Sequence, residues 1–141
     1  MNYVIDTSVA AKLFIKEDHS DKAKEIFEEH VSGYLKLLAP KLLTYELGNV
    51  FLKHPQIDHG KAYIFIKKFM ELKVNLIDVF SDDDLLKNIC YLSKSKNITF
   101  YDAAFIAIAE KYETKLITAD DHLYKKAPEI SIIIKIWKKY E

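Results

Sequence analysis

Short runs of β-branched and aromatic residues alternate along the chain with longer segments of helical periodicity. The β-rich runs cover residues 3–5, 34–39, 74–79, 115–118 and 131–136. Each segment between them is long enough for one or more helices, so we expect mostly parallel strands with helices on both faces of the sheet. The pattern predicts an α/β fold whose functional groups collect beyond the carboxyl ends of the strands.

Two helical segments show which faces they bury. In the segment that starts at Lys41, three apolar residues recur on one face: Leu43, Leu47 and Val50. Residues 103–109 read Ala-Ala-Phe-Ile-Ala-Ile-Ala, which is apolar nearly all round. This second segment predicts a deeply buried helix.

A third helical segment, residues 58–73, carries an apolar stripe with no obvious partner in the chain. The stripe contains Tyr63, Ile66 and Met70 and is widened by Phe65, Phe69 and Leu72. A soluble monomer rarely exposes so large an apolar surface. The stripe therefore predicts a homodimer formed through helical faces.

Composition favours one domain in a reducing compartment. The 141 residues are half hydrophobic, and only three Gly and three Pro interrupt them, so we expect one domain over residues 1–141. No apolar run approaches the roughly 20 residues that cross a bilayer, and the N-terminus lacks the features of a signal peptide. The single cysteine, Cys90, has apolar neighbours and is expected to be buried. These features favour a cytoplasmic protein without a membrane partner.

Charge is balanced overall. Twenty-one basic residues match 21 acidic ones, and every basic residue is Lys. No net positive field would attract nucleic acid from a distance, and without Arg no side chain can form a bidentate contact with phosphate. Any contact with nucleic acid must therefore be local and made by lysines.

Asp6 closes the first apolar run and is followed by Thr7, Ser8 and a helical pattern. A residue of this type commonly caps a helix, because its side-chain oxygen accepts backbone N–H groups. One of the three residues is enough for a cap, and Thr7 or Ser8 could provide it. We therefore expect Asp6 to be free for another role.

Glu46 lies in a predicted helix among mostly apolar neighbours. Those on its own face are Leu42, Leu43, Asn49 and Val50. A buried carboxylate is costly unless a cation or several hydrogen-bond donors meet it. Glu46 is therefore explained by an ion pair with a lysine, by a position at the helix edge, or by a functional site.

Two further acids begin helical segments. Asp102 follows Thr99 in the spacing of a capping box, at the start of the most apolar helix. Asp120 and Asp121 follow the run 115–118 and open a short helical stretch. Capping or a solvated turn explains Asp121 best, whereas Asp120 is the stronger candidate for a site.

The four candidate acids, Asp6, Glu46, Asp102 and Asp120, are expected to converge at one edge of the sheet. Clustered carboxylates repel one another unless hard cations neutralise them, and ligands made of oxygen alone suit Mg²⁺ or Mn²⁺. Such an ion completes its shell with water and substrate phosphate oxygens. The acids therefore predict hydrolysis of a phosphodiester by a metal-activated water.

These acids and their neighbours resemble those of a known family. The chain contains Val4-Ile5-Asp6-Thr7-Ser8, then Glu46, then Tyr101-Asp102-Ala103, then Thr118-Ala119-Asp120. This order resembles PIN domains over the whole chain. Within that family the sequence looks most similar to the VapC-type toxins of prokaryotic toxin–antitoxin pairs.

The resemblance implies a parallel sheet of strand order 3-2-1-4-5 and endonucleolytic cleavage of RNA at an acidic site holding Mg²⁺ or Mn²⁺. The four acids would be the catalytic and metal-binding residues. Thr7, Ser8 and Thr118 would support them through hydroxyls, and Asp121 would offer a fifth carboxylate. The resemblance also implies a homodimer and a small VapB-like antitoxin that covers the site.

Two features depart from many members of the family. Arg is absent, so RNA would be bound by lysines such as Lys12, Lys16 or Lys41. The helix after Glu46 stops early, at Lys53-His54-Pro55, which shortens the arm that follows.

The main alternative is a non-catalytic PIN-like module that acts through its dimer or its partner, since a fold does not guarantee activity. Phosphatases of the haloacid-dehalogenase type also place an Asp after the first strand. They need a second Asp two residues on, where this chain has Ser8. A receiver-type signalling domain needs an acidic pair at that strand. The four acids favour the nuclease.

Overall fold

A computed structural model describes residues 1–137, so residues 138–141 of the predicted domain lie outside the described residues. Five strands form one sheet: β1 Asn2–Ile5, β2 Lys36–Pro40, β3 Asn75–Ile77, β4 Leu116–Thr118 and β5 Ser131–Ile133. Their order is β3-β2-β1-β4-β5, and all neighbouring pairs are parallel. The predicted α/β class and strand order are confirmed.

Helices fill the connections between the strands. Their bounds are α1 Thr7–Ala11, α2 Ser20–Ser32, α3 Leu42–Lys53, α4 His59–Glu71, α5 Asp83–Lys96, α6 Phe100–Lys111 and α7 Asp121–Lys126. A 3₁₀ turn at Val79–Ser81 follows β3. A second 3₁₀ turn, Ile134–Ile136, replaces the end of the strand expected over 131–136. None of the helices within residues 1–137 is long and apolar enough to span a bilayer.

Helix α6 lies in the centre of the core. Every residue from Ala103 to Ala109 is buried, which confirms the expectation from its all-round apolar sequence. The helix packs on β1 and β2 with one side and on α5 with another. A helix covered on both sides needs apolar residues around its whole circumference.

The apolar stripe of α3 is rotated from the predicted one. Leu43, Leu47 and Phe51 are buried, whereas Val50 is exposed. The helix ends at Lys53, as its sequence predicted, because His54 leaves the helical conformation.

The expectation that Cys90 is buried is wrong, because its side chain is exposed. Helix α5 buries Leu85, Ile89 and Leu92, a stripe of i, i+4 and i+7 spacing. Cys90 follows Ile89 by one residue, and a step of about 100° around the helix takes it away from that stripe.

Candidate active site

The structure brings the four predicted acids to the carboxyl edge of the sheet. Asp6 follows β1 directly, and Asp120 lies two residues beyond β4. Glu46 is in the second turn of α3 and Asp102 in the first turn of α6. Electrostatic repulsion couples Asp6 to Asp120, Asp120 to Asp102, and Asp102 to Glu46.

Asp6 is the most buried of these acids, with 5% of its surface exposed. Its Oδ1 accepts hydrogen bonds from Ser8 Oγ at 2.5 Å and from the Val9 backbone N–H at 3.2 Å, while Oδ2 accepts one from Thr118 Oγ1. Burial nevertheless raises the pKa of Asp6 to about 6, and the nearby charge of Asp120 adds to the rise. The three hydrogen bonds therefore stabilise the ionised carboxylate less than the hydration that it loses on burial.

The expectation that Thr7 or Ser8 would cap α1 and leave Asp6 free is wrong. Asp6 is itself the N-cap, through its bond from Val9. The two hydroxyls have other partners, since Thr7 donates to Glu46 and Ser8 donates to Asp6. Asp6 therefore caps α1 and also lies among the clustered acids.

Ser8 and Thr118 tie Asp6 to the end of β4. Each hydroxyl donates its proton to Asp6 and accepts a backbone N–H from the loop after β4: Ser8 from Ala119 at 2.9 Å and Thr118 from Asp120 at 3.0 Å. A hydroxyl that both donates and accepts has a fixed orientation. These two side chains therefore hold Asp6 in one rotamer.

Glu46 is half-buried, and its Oε1 accepts the Thr7 hydroxyl at 2.7 Å. Burial is the main cause that raises its pKa, and the charge of Asp102 raises it further. The ion pairs in the described part of the chain do not include Glu46. The lysine partner considered from the sequence is therefore not found there.

Asp102 occupies the third position of α6, where its backbone N–H donates to Thr99 Oγ1 at 3.0 Å. Capping of this helix by Thr99 is thus confirmed. The pKa of Asp102 is raised by burial first and by Asp120 second. His122, which no sequence pattern singled out, lies close enough to oppose that rise.

Asp120 caps α7 by accepting the backbone N–H groups of His122 at 2.9 Å and Leu123 at 3.3 Å. Asp121 begins the same helix and is exposed. The rim of the site therefore carries two adjacent carboxylates.

A cleft of about 550 Å³ opens beside Glu46 and is lined by Thr7, Ser8 and Lys12 among others. Lys12 is only 9% exposed, and its ammonium donates to Glu17 Oε1 at 3.2 Å and to the Asp18 carbonyl at 2.7 Å.

Of the three lysines suggested for RNA binding, only Lys12 lines this cleft. Lys16 lines a neighbouring groove, and Lys41 is exposed just before α3.

The donor set fits a hard divalent cation. Burial raises the pKa values of Asp6, Glu46 and Asp102, and a neighbouring acid raises each further, so these carboxylates gain most from a positive charge. Oxygen ligands suit Mg²⁺ or Mn²⁺. Among residues 1–137, no group of three or more Asp, Glu, His or Cys side chains is arranged to hold an ion by itself. Mg²⁺ does not require such a cage, since it commonly binds through one or two carboxylates, water and substrate phosphate.

A model of the PIN domain matches residues 3–128. The chain belongs to the PIN-domain family. Ribonuclease VapC3 of Pyrobaculum aerophilum is 32% identical to it over 133 residues, which cover 92% of this chain and 98% of that protein. The resemblance seen in the sequence is thereby confirmed.

Solved structures share the fold of this PIN domain. PAE2754 from Pyrobaculum aerophilum has a TM-score of 0.69 and 25% identity, covering 96% of this chain and 93% of its own. VapC20 of Mycobacterium tuberculosis, a toxin that cleaves the sarcin–ricin loop, has a TM-score of 0.65 at 16% identity, with coverages of 87% and 93%. FitAcB from Neisseria gonorrhoeae has a TM-score of 0.64 at 13% identity, with coverages of 96% and 99%. The last two are similar in fold alone.

Proposed function

We propose that this PIN domain is a metal-dependent endoribonuclease and the toxin of a toxin–antitoxin pair. The observation that carries the proposal is the placement of four carboxylates at one edge of the sheet, two after strands β1 and β4 and two on helices α3 and α6. None of the four is in an ion pair with a lysine within residues 1–137. The identity with ribonuclease VapC3 supports RNA as the substrate. We further propose that the protein acts in the cytoplasm.

The side chains of the site have distinct roles in this proposal. Asp6, Glu46, Asp102 and Asp120 would hold Mg²⁺ or Mn²⁺, which when bound neutralises them and activates the attacking water. Ser8 and Thr118 orient Asp6, and Thr7 orients Glu46. Lys12 places a positive charge in the cleft where a phosphate would lie. Asp121 would add a fifth carboxylate at the rim.

The direct test is cleavage of single-stranded RNA by the purified full chain. We expect cleavage with Mg²⁺ or Mn²⁺, its loss on chelation, and its return when the ion is added back. A folded protein that binds RNA but cuts none with either ion would instead favour the non-catalytic module.

Replacing Glu46 with Gln should weaken Mn²⁺ binding and slow cleavage, with a change of less than about 1 kcal/mol in the free energy of unfolding. Gln keeps an oxygen that can accept the Thr7 hydroxyl but carries no charge. Calorimetric titration with Mn²⁺ and urea unfolding measure the two effects. Glu110→Gln, an exposed charge on α6, is the control.

The opposite pattern would remove Glu46 from the site. Unaltered Mn²⁺ affinity with a loss of about 3–5 kcal/mol in stability would mean that Glu46 balances a buried charge. Three acids would then remain, and the nuclease proposal would be weakened.

We also propose a homodimer and a small antitoxin of the VapB type as partners. On α4, Tyr63, Ile64 and Met70 are exposed, whereas Ile66 is half-buried, so the predicted stripe is shifted by part of a turn. Sedimentation at micromolar concentration should show a dimer. Met70→Lys should shift it toward monomer, because a charge would be buried in the interface. A monomeric wild-type protein would contradict the homodimer proposal and would leave the nuclease proposal unaffected.

The antitoxin proposal is tested separately. If a small reading frame adjoins this gene, co-expression with its product should yield a stable complex in which RNA cleavage is inhibited. Failure of that product to bind would count against the toxin–antitoxin pair and not against the nuclease.

A further inference from the structure

A basic groove lies next to the cleft that contains the acids' supporting hydroxyls. It has a volume of about 610 Å³, and its charged lining consists of one acid, Asp21, and four lysines: Lys12, Lys16, Lys24 and Lys68. In a chain without net charge, this excess of lysines makes the groove locally positive. Only the first of these lysines has a role in the proposed nuclease.

The groove and the cleft adjoin at Lys12, which lines both of them. The segment that follows Lys12 contributes to each in turn. Ile15 and Glu17 line the cleft, whereas Phe14 and Lys16 line the groove. An extended polymer bound in the cleft can therefore continue past Lys12 into the groove.

The other three lysines of the groove are free to bind an anion. Lys16, Lys24 and Lys68 are exposed, and none of them forms an ion pair within residues 1–137. They come from the connection after α1, from α2 and from the end of α4, so the fold and not the local sequence brings them together. Like charges gathered in this way repel one another, and a bound anion relieves the repulsion.

Lys12 is held at the junction with part of its binding capacity unused. An ammonium has three N–H donors. Glu17 Oε1 and the Asp18 carbonyl accept two of them within the described residues, which leaves one for a phosphate oxygen. The side chain of Glu17 is 44% exposed, so water can solvate its carboxylate when a phosphate takes its place.

We propose that the phosphate backbone of the RNA runs from the acidic cleft past Lys12 into this groove, where Lys16, Lys24 and Lys68 bind its phosphates on one side of the cleaved bond. Glu17 pairs with Lys12 in the free protein and competes with the incoming phosphate. The proposal rests on the nuclease function proposed above and assigns the residues that position its substrate. The continuity of the groove with the cleft favours the substrate over an acidic peptide as the occupant.

The first test measures how salt affects RNA binding. Anisotropy of a fluorescein-labelled single-stranded RNA oligonucleotide reports its Kd for the full chain, with Ca²⁺ in place of Mg²⁺ to neutralise the acids. A variant that combines Lys16→Gln, Lys24→Gln and Lys68→Gln should bind roughly 3- to 100-fold more weakly at low salt. The slope of log Kd against log salt concentration should fall by about 2, because each phosphate contact of a single strand contributes about 0.7.

The second test uses Glu17→Gln, which should act in the opposite direction. Gln keeps an oxygen that can accept from Lys12 but has no charge to compete with phosphate. RNA should therefore bind roughly 1.5- to 5-fold more tightly. Lys12→Gln should weaken binding and, combined with Glu17→Gln, should abolish the gain. A Glu17 that serves only the fold would lower stability in urea without tightening the binding of RNA.

Matched variants separate the groove from the net charge of the protein. Lys94→Gln removes an exposed lysine of α5, and Glu25→Gln removes an exposed acid of α2, and neither residue lines the groove or the cleft. Both variants should leave Kd and its salt dependence unchanged. Replacement of the three groove lysines with Arg keeps their charge and should retain the salt dependence.

Three outcomes would overturn the proposal. An unchanged Kd and salt slope in the triple Gln variant would remove the groove from the RNA path. An equal loss of affinity in Lys94→Gln would show an effect of net charge alone. Unchanged RNA binding together with dissociation of an oligomer in sedimentation would make the groove a contact between protein copies.

The nuclease proposal would fail in a different way. A wild-type protein that binds RNA through the groove lysines but cuts none with Mg²⁺ or Mn²⁺ would retain the groove without the catalytic function. Cleavage whose KM is the same in the wild-type protein and the triple Gln variant would retain the nuclease without the groove.

Discussion

Replacing Asp6 with Asn should reduce RNA cleavage by more than about 100-fold, beyond the loss typical of residues that only support a metal ligand. The amide keeps a capping oxygen for the Val9 N–H, and Asn caps helices as well as Asp does. It lacks the charge that a divalent cation requires. Cleavage assays with Mn²⁺ and circular dichroism would show whether activity is lost while the fold remains.

Asp58→Asn is the matched control for this substitution. Asp58 is the N-cap of α4, and its side chain accepts the Lys61 N–H at 2.7 Å on an exposed surface. The same charge is removed from the same kind of position outside the acidic site, so activity should be retained. Full activity in a folded Asp6→Asn protein would exclude Asp6 from the metal site.

Asp6 should also make the metal-free protein less stable as the pH rises from about 4 to above 6. Burial raises its pKa from 3.8 to about 6 in the folded state. At a pH below the pKa of the unfolded state, Asp6 is protonated in both the folded and the unfolded protein, and its burial carries no electrostatic penalty. At a pH above the pKa of the folded state, Asp6 is ionised in both states. The free energy of unfolding is then lower by the full penalty, on the order of 3 kcal/mol for a pKa shift of this size.

The Asp6→Asn protein lacks this titrating group. The difference in the free energy of unfolding between the wild-type protein and the variant therefore isolates the contribution of Asp6. Urea unfolding in a chelating buffer at pH 4 and pH 7.5 should show the difference in stability shifting toward the variant by roughly 2.4 kcal/mol, because a small part of the penalty is already present at pH 4. At the higher pH we expect the variant to melt at the higher temperature. The loss of the hydrogen bond that Thr118 donates to Oδ2, where the variant has an amide NH₂, is present at both pH values and cancels from the shift. A difference that does not vary with pH would contradict the burial of an ionised Asp6.

Much of the fold was predictable because the signals are local. The alternation of β-rich runs and helical segments marked every strand, and the apolar run 103–109 marked the buried helix. Thr99 capped its helix as the spacing predicted. The order of the acids along the chain identified the family, which supplied the strand order.

Local sequence patterns did not predict the hydrogen-bond partner of a side chain where several partners compete for it. Thr7, Ser8 and Asp6 were equivalent as caps in the sequence. In the structure Asp6 is the cap, because Thr7 donates its hydrogen bond to Glu46, 39 residues away, and Asp6 accepts one from Thr118, 112 residues away. Neither partner is visible in the local sequence, and each changes which hydrogen bonds remain available.

The sequence by itself determined which residues are acidic, which segments are apolar, and in what order they follow. Only the tertiary structure decided the environment of each charge. The pKa of Asp6 depends on burial under elements from both ends of the chain, and the stack of Phe80 on Phe100 joins a turn after β3 to the start of α6. Periodicity shows that a face is buried or exposed, but solvation and contact depend on distant residues that folding brings together.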